Sequence, residues 1–149
     1  MARLLIVHHS PTPQVAELAA AVLRGAHTAS SEGVEVIERA ALEAMATDLL
    51  DAHAVIFGTT ANFGYISGAL KHFFDTTYTD THEATRGRAF SYWIHRSHDT
   101  TGAERAMQSI TTGYGLRLAA DPVVFTGDVG EHLTRAEELG ASVAWSLTL

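Results

Sequence analysis

Three polar segments, each following an apolar run, hold most of the side chains able to meet a charged or aromatic ligand. The first, Ser10-Pro11-Thr12-Pro13-Gln14-Val15, offers two hydroxyls and no cation of its own. If a helix begins within it, a phosphate gains hydrogen bonds from Ser10, Thr12 and backbone N–H groups, and the helix dipole favours its charge. The same residues also suit an ordinary helix start, a capping hydroxyl followed by Pro in the first turn. The second segment runs Gly58-Thr59-Thr60-Ala61-Asn62-Phe63-Gly64-Tyr65-Ile66-Ser67-Gly68 and is long for a connection. Its backbone groups and Asn62 can bond the polar edge of a flat heteroaromatic ring, while Phe63 or Tyr65 covers an apolar ring face. A purely structural account has Phe63 in the core, Ser67 capping a helix and the glycines forming turns. The third, Arg96-Ser97-His98-Asp99-Thr100-Thr101-Gly102, supplies hydroxyls for a further wall, or only a helix cap at Asp99 or Thr101.

Other chemistries find less support. Hydrolysis starting from Ser10 or Ser97, with His9, His95 or His98 and Asp99, lacks a Gly-x-Ser-x-Gly elbow, and adjacency within one loop does not build a nucleophile, base and orienting group. His8 and His9 are neighbours that point apart on a strand, so they make a poor metal site. A phosphoacceptor site lacks its acidic cluster, and Gly58 to Gly64 is not followed by the Lys-Ser/Thr of a Walker loop. No catalytic side chain and no metal ligand is assigned. The absence of Cys removes disulfides and thiolates, which favours a cytoplasmic setting and leaves redox chemistry to a borrowed cofactor. A formal net charge of -7 opposes attraction to nucleic acid or anionic lipid. The N-terminal run Leu4 to Val7 is too short for a signal sequence or a membrane span, so no membrane insertion is expected.

The elements that must position these segments follow from periodicity. The 149 residues, 46% hydrophobic and 18% charged, fit one domain, 1–149, with one core. Arg3 to His8 reads as a buried parallel strand, and Val15, Leu18, Ala19, Val22, Leu23 and Ala26 share one helix face. Gly33 to Glu38 reads as an edge strand and Leu42 to Leu50 as a short helix. Ala52 to Gly58 predicts a third strand, followed by the helix face Leu70, Phe73, Phe74 and Thr77. Arg88 to His95 predicts a fourth strand and Ala103, Ala106, Met107, Ile110 and Tyr114 a helix. Pro122 to Thr126 predicts a fifth, with Leu133, Ala136, Gly140, Val143 and Leu147 lining the last helix. Five such units give an open α/β sheet with helices on both faces, and ligands bind beyond the carboxyl ends of its strands, where all three polar segments fall.

At these residues the sequence resembles the flavodoxin-like superfamily, within it the NAD(P)H-dependent FMN reductases and flavodoxin-type quinone oxidoreductases. The most specific stretch, Gly58 to Asp75, is similar to that family's Gly-Thr-Pro-x-x-Phe-Gly-x-x-(Ser)-Gly-x-x-Lys-x-Phe-x-Asp block. The resemblance implies a three-layer sandwich around a five-stranded parallel sheet of order 2-1-3-4-5. It implies FMN as cofactor, NADPH or NADH as electron donor, and a quinone, similar small molecule or redox partner protein as acceptor; the alternatives are a flavodoxin-like electron carrier without nicotinamide activity of its own and a flavodoxin-fold interaction protein that has lost FMN. Homodimers or homotetramers are common among such relatives. Ser10, Thr12, Pro13, Gln14 and Val15 would hold the FMN phosphate. Thr59, Thr60, Ala61, Asn62, Phe63 and Gly64 would border the isoalloxazine ring, with Arg96, Ser97, His98, Asp99, Thr100 and Thr101 closing its other side. Two departures stand out. Pro13 replaces a Gly and Val15 a Thr of the usual phosphate loop; the two prolines remove two possible N–H donors and Val15 a hydroxyl, which implies weaker FMN binding or help from another residue. Thr100 and Thr101 stand where the family has glycines, making a bulkier wall.

Overall fold

The structure is a computed structural model that describes residues 1–96 and 98–149. The first strand, β1 (Ala2–His8), lies between β2 (Val34–Ala40) and β3 (Ala54–Asn62), parallel to both. Its Leu4, Leu5, Ile6 and Val7 are fully buried, as an unbroken apolar run requires when helices cover both faces. β3 pairs in parallel with β5 (Ala89–Arg96), and the two-residue β4 (Tyr65–Ile66) folds back antiparallel onto Ala61 and Asn62. The far edge of β5 is shared by β6 (Arg117–Leu118), beside Ala89 and Phe90, and β7 (Val123–Thr126), beside Trp93 to Arg96.

Among the described residues the sheet therefore has seven strands, in the order β2-β1-β3-β5-β6 with β4 and β7 off that path, rather than five. The five expected parallel strands are β2, β1, β3, β5 and β7. The additions are a hairpin and a split edge. The split falls at Asp121-Pro122, where Pro122 has no N–H to give the ladder and Ser91 Oγ donates to Ala120 O across the gap at 2.9 Å.

Helices α1 (Pro13–His27) and α5 (Leu133–Ser146) cover one face of the sheet; α2 (Ala46–Asp51), α3 (Gly68–Thr85) and α4 (Thr101–Tyr114) cover the other. The α1–α5 side is filled by Leu18, Val22, Ala26, Val143 and their neighbours, the opposite side by Phe57, Phe73, Phe74, Phe90 and Tyr114. Two expected boundaries move. The short second helix starts at Ala46 rather than Leu42, because residues 41–43 form a turn and the Met45 N–H is capped by the Asp48 carboxylate at 2.8 Å. β3 continues four residues past Gly58, since the β-branched Thr59 and Thr60 pair in register with Ile94 and His95.

Candidate functional site

The carboxyl ends of β1, β3, β5 and β7 open onto a cavity of about 430 Å³ lined by Pro11, Thr12, Gln14, Val15, Thr60, Asn62, His95, Arg96, Gly127, Asp128 and Val129. All three polar segments of the sequence contribute to it, the first through Pro11, Thr12, Gln14 and Val15, with Ser10 one residue outside the lining and Pro13 turned into the helix start. Thr12 is extended and caps α1, its Oγ1 accepting from the Val15 N–H at 3.4 Å, with Pro13 at the first helical position. The Thr12 hydroxyl proton stays free for a ligand, because its bond to Val15 uses only a lone pair. No acidic residue sits in the first turn of α1 to oppose an anion at its positive end.

The strand end of β3 divides its residues by pleat. Thr60 and Asn62 face the cavity, whereas Thr59 and Ala61 are buried in the sheet. Thr59 Oγ1 accepts from Ser67 N at 3.0 Å and donates to Thr60 O at 2.8 Å, which ties down the hairpin. Ser67 in turn caps α3 by accepting from Leu70 N. Phe63 and Gly64 form the turn. Phe63 has φ +50° and is 103% exposed, so it is neither a core residue nor covered by anything in the chain. Gly64 has φ +75°, the left-handed conformation a tight turn needs.

At the end of β5, Arg96 reaches across to Asn62, its guanidinium donating to Oδ1 at 3.4 Å. Beyond it, residues 98–101 are not part of the cavity lining. Asp99 Oδ1 accepts from the N–H and hydroxyl of Thr101, at 2.9 and 2.6 Å, and these bonds hold its carboxyl below the usual carboxylate range. Thr100 donates to Glu104 at 3.0 Å. Asp99, Thr100 and Thr101 therefore serve the start of α4, His98 is exposed, and Ser97 lies outside the described residues. The segment still borders the site indirectly. Gly102 packs so closely on the turn of the β3–β4 hairpin that a Cβ there would lie 1.9 Å from Gly64 O.

Three contributions were not legible in the sequence. Gly127, Asp128 and Val129 close the cavity after β7, with Asp128 Oδ1 accepting from Gly130 N at 3.0 Å. His95 lines it too, donating from Nε2 to Gly127 O at 2.9 Å and packing on Phe125. The third is a hydrogen-bonded series beneath the first segment. His8 Nδ1 is 2.7 Å from Ser10 Oγ and His8 Nε2 is 2.7 Å from Glu38 Oε2. The His8 ring lies 5.6 Å from that of Trp93, which is wholly buried with its Nε1 unpartnered and presses its edge on Gly58, where a Cβ would meet the ring at 2.0 Å. Gly58 thus admits Trp93 under the β1 end. Among the described residues no group of three or more His, Asp or Glu side chains is placed to hold a metal ion, and no helix is long and apolar enough to cross a membrane.

Comparison with solved structures decides the fold. Over 99% of both chains the structure superposes on a flavodoxin from the domain Archaea with a TM-score of 0.80 at 15% identity. A flavodoxin, WrbA-like protein from Agrobacterium tumefaciens matches with a TM-score of 0.77 and 20% identity, over 99% of this chain and 98% of that one. The chain has the flavodoxin-like fold. Among curated sequences it is 28% identical to a protein of Acidithiobacillus ferrooxidans named NAD(P)H dehydrogenase (quinone), across 75% of this chain and 66% of the relative, just under two thirds of its length. No protein-family model matches. In a flavodoxin-like sheet the crevice beyond the carboxyl ends of β1 and β3, where the strand order reverses, is where a ligand binds, and the cavity occupies that position.

Proposed function

We propose that this chain binds FMN in the cavity at the carboxyl ends of β1, β3, β5 and β7 and works as an FMN-dependent oxidoreductase, taking electrons from NADH or NADPH and passing them to a quinone or similar acceptor. The observation that carries the reading is the convergence of Thr12, Thr60, Asn62 and Arg96 from three separate segments on one cavity of about 430 Å³, within the size range of cofactor sites. The residues present fit the group. The start of α1, with the free Thr12 proton and no acidic residue in its own first turn, suits a phosphate, Asp128 after β7 being the carboxylate of the lining; Asn62 and Arg96 suit the polar ring edge; Val15 and Val129 add apolar surface. The curated relative's name supports the nicotinamide and quinone parts.

When bound, the flavin supplies the hydride and one-electron chemistry. The side chains of this chain bind, orient and exclude water. Arg96 is a fixed donor that lies beside Asn62 and can stabilise negative charge on the ring edge. Phe63, uncovered beside that edge, is the natural contact for an acceptor, a partner protein or a second copy of the chain. A cytoplasmic setting and an oligomer belong to the same proposal.

A second reading keeps FMN but makes the chain an electron carrier without nicotinamide activity; fully exposed Phe63 favours it, as a docking residue for a protein partner. Stopped-flow mixing of the FMN-loaded protein with NADPH, then NADH, separates the two. Bleaching of the flavin band is the expected result, and a flavin that stays oxidised with both donors leaves only the carrier.

A further inference from the structure

The first segment is short of donors for a phosphate. Pro11 and Pro13 lack N–H groups, Val15 lacks a hydroxyl, and no Lys or Arg lies between Ser10 and Val15. The hydrogen-bond roles at Ser10 make the shortage worse when His8 is neutral. Glu38 carboxylate can only accept, so His8 Nε2, 2.7 Å away, must carry a proton. A neutral imidazole then has a bare lone pair on Nδ1, and Ser10 must spend its one hydroxyl proton on it. Ser10 can turn that proton toward an anion only if His8 is doubly protonated, with Nδ1–H donating to Ser10 Oγ.

We propose that His8 is the charge this phosphate segment lacks: FMN binding draws a proton onto His8, and the imidazolium, held by Glu38, frees the Ser10 hydroxyl to donate to the phosphate. The proposal rests on the FMN reading above. The surroundings favour it. From β2, Glu38 faces the ring and Arg39 is turned to Asp48 at 3.3 Å. On β3 its pairing partner is Gly58, from β5 comes the uncharged Trp93 ring, and from its own strand end His9. The start of α1 brings no carboxylate. The His8 side chain is 13% exposed, so its pairing with Glu38 is only partly screened by water.

Calorimetric titration of the whole chain with FMN, in buffers of different ionisation enthalpy at about pH 7.5, counts the protons taken up while the phosphomonoester, with a second pKa near ~6, is already a dianion. Uptake approaching one proton per FMN is expected, and close to none with riboflavin, which lacks the phosphate. His8→Gln should abolish the uptake and weaken FMN binding by about tenfold, the order of one charge-assisted hydrogen bond. Glu38→Gln should also suppress uptake while FMN still binds, because an amide can donate to Nε2 and leave a neutral His8 with Nδ1–H toward Ser10. That variant stands as an independent test if His8→Gln loses its native circular dichroism. FMN binding by the wild type without uptake, or undiminished uptake in folded His8→Gln or in Glu38→Gln, overturns the proposal and leaves the FMN reading intact. No FMN binding at any pH overturns both.

Discussion

Where α1 crosses α5, Gly25 and Gly140 let the two backbones approach until one methyl group would collide: a Cβ on Gly25 would lie 1.8 Å from Glu137 O, and one on Gly140 1.9 Å from Val22 O. The cavity rim is built in the other sense. Phe63 stands fully exposed in a left-handed conformation that costs a β-carbon residue roughly 1–2 kcal/mol, and Thr12, Thr60, Asn62 and Arg96 keep polar atoms turned to an open space. The contact fixes the direction of α1 by excluding side-chain volume. The rim gives up packing, and the helix start that the contact has aimed is one of its walls. Stability and binding therefore respond to different residues.

Gly140→Val breaks the contrast from the packed side. It should cost about 3 kcal/mol or more, or prevent folding, because rigid helix backbone is what its side chain meets. Urea denaturation measures it, and wild-type stability in that variant would mean α1 and α5 can slide apart. Gly102→Ala should cost less, about 1–3 kcal/mol, since its collision is with Gly64 in a hairpin turn that can shift; FMN affinity should fall with it, because the turn adjoins Asn62. Tyr114→Phe removes a buried hydroxyl that donates to Phe74 O and lies 3.0 Å from Thr77 Oγ1, and should cost about 1 kcal/mol at neutral pH without altering the rim.

Tyr114 also carries a pH signature. Burial pushes its phenol up to about 12, above the roughly 10 of an unfolded chain. Its folded state holds the proton longer, so its contribution is whole below about pH 10 and is lost as pH rises through about 12. Alkaline denaturation curves of wild type and Tyr114→Phe should converge across that window. The smallest effect is expected at the rim itself. Phe63→Asn, which tolerates positive φ, should be neutral or stabilising by about 0.5 kcal/mol in thermal unfolding.

The sheet was legible because the unbroken run Leu4 to Val7 and the 3.6-residue stripes of α1, α4 and α5 report burial directly. The β4 hairpin and the split edge were not, since two-residue pairings have no period to read. Thr12, Thr60, Asn62 and Arg96 could be picked out as polar groups at strand ends. Thr100 and Thr101 look the same in sequence but bond within their own helix start. Gly127 to Val129 has an unremarkable turn composition, and the approach of Glu38 to His8 depends on the β1–β2 register, in which His8 faces Ala40.

The central claim is that three chain segments make one flavin site. Titrating FMN with the purified protein while following flavin fluorescence tests it most directly: saturable one-to-one quenching, weakened in Asn62→Ala, is the predicted result. Fluorescence that does not change up to high protein concentration would contradict it.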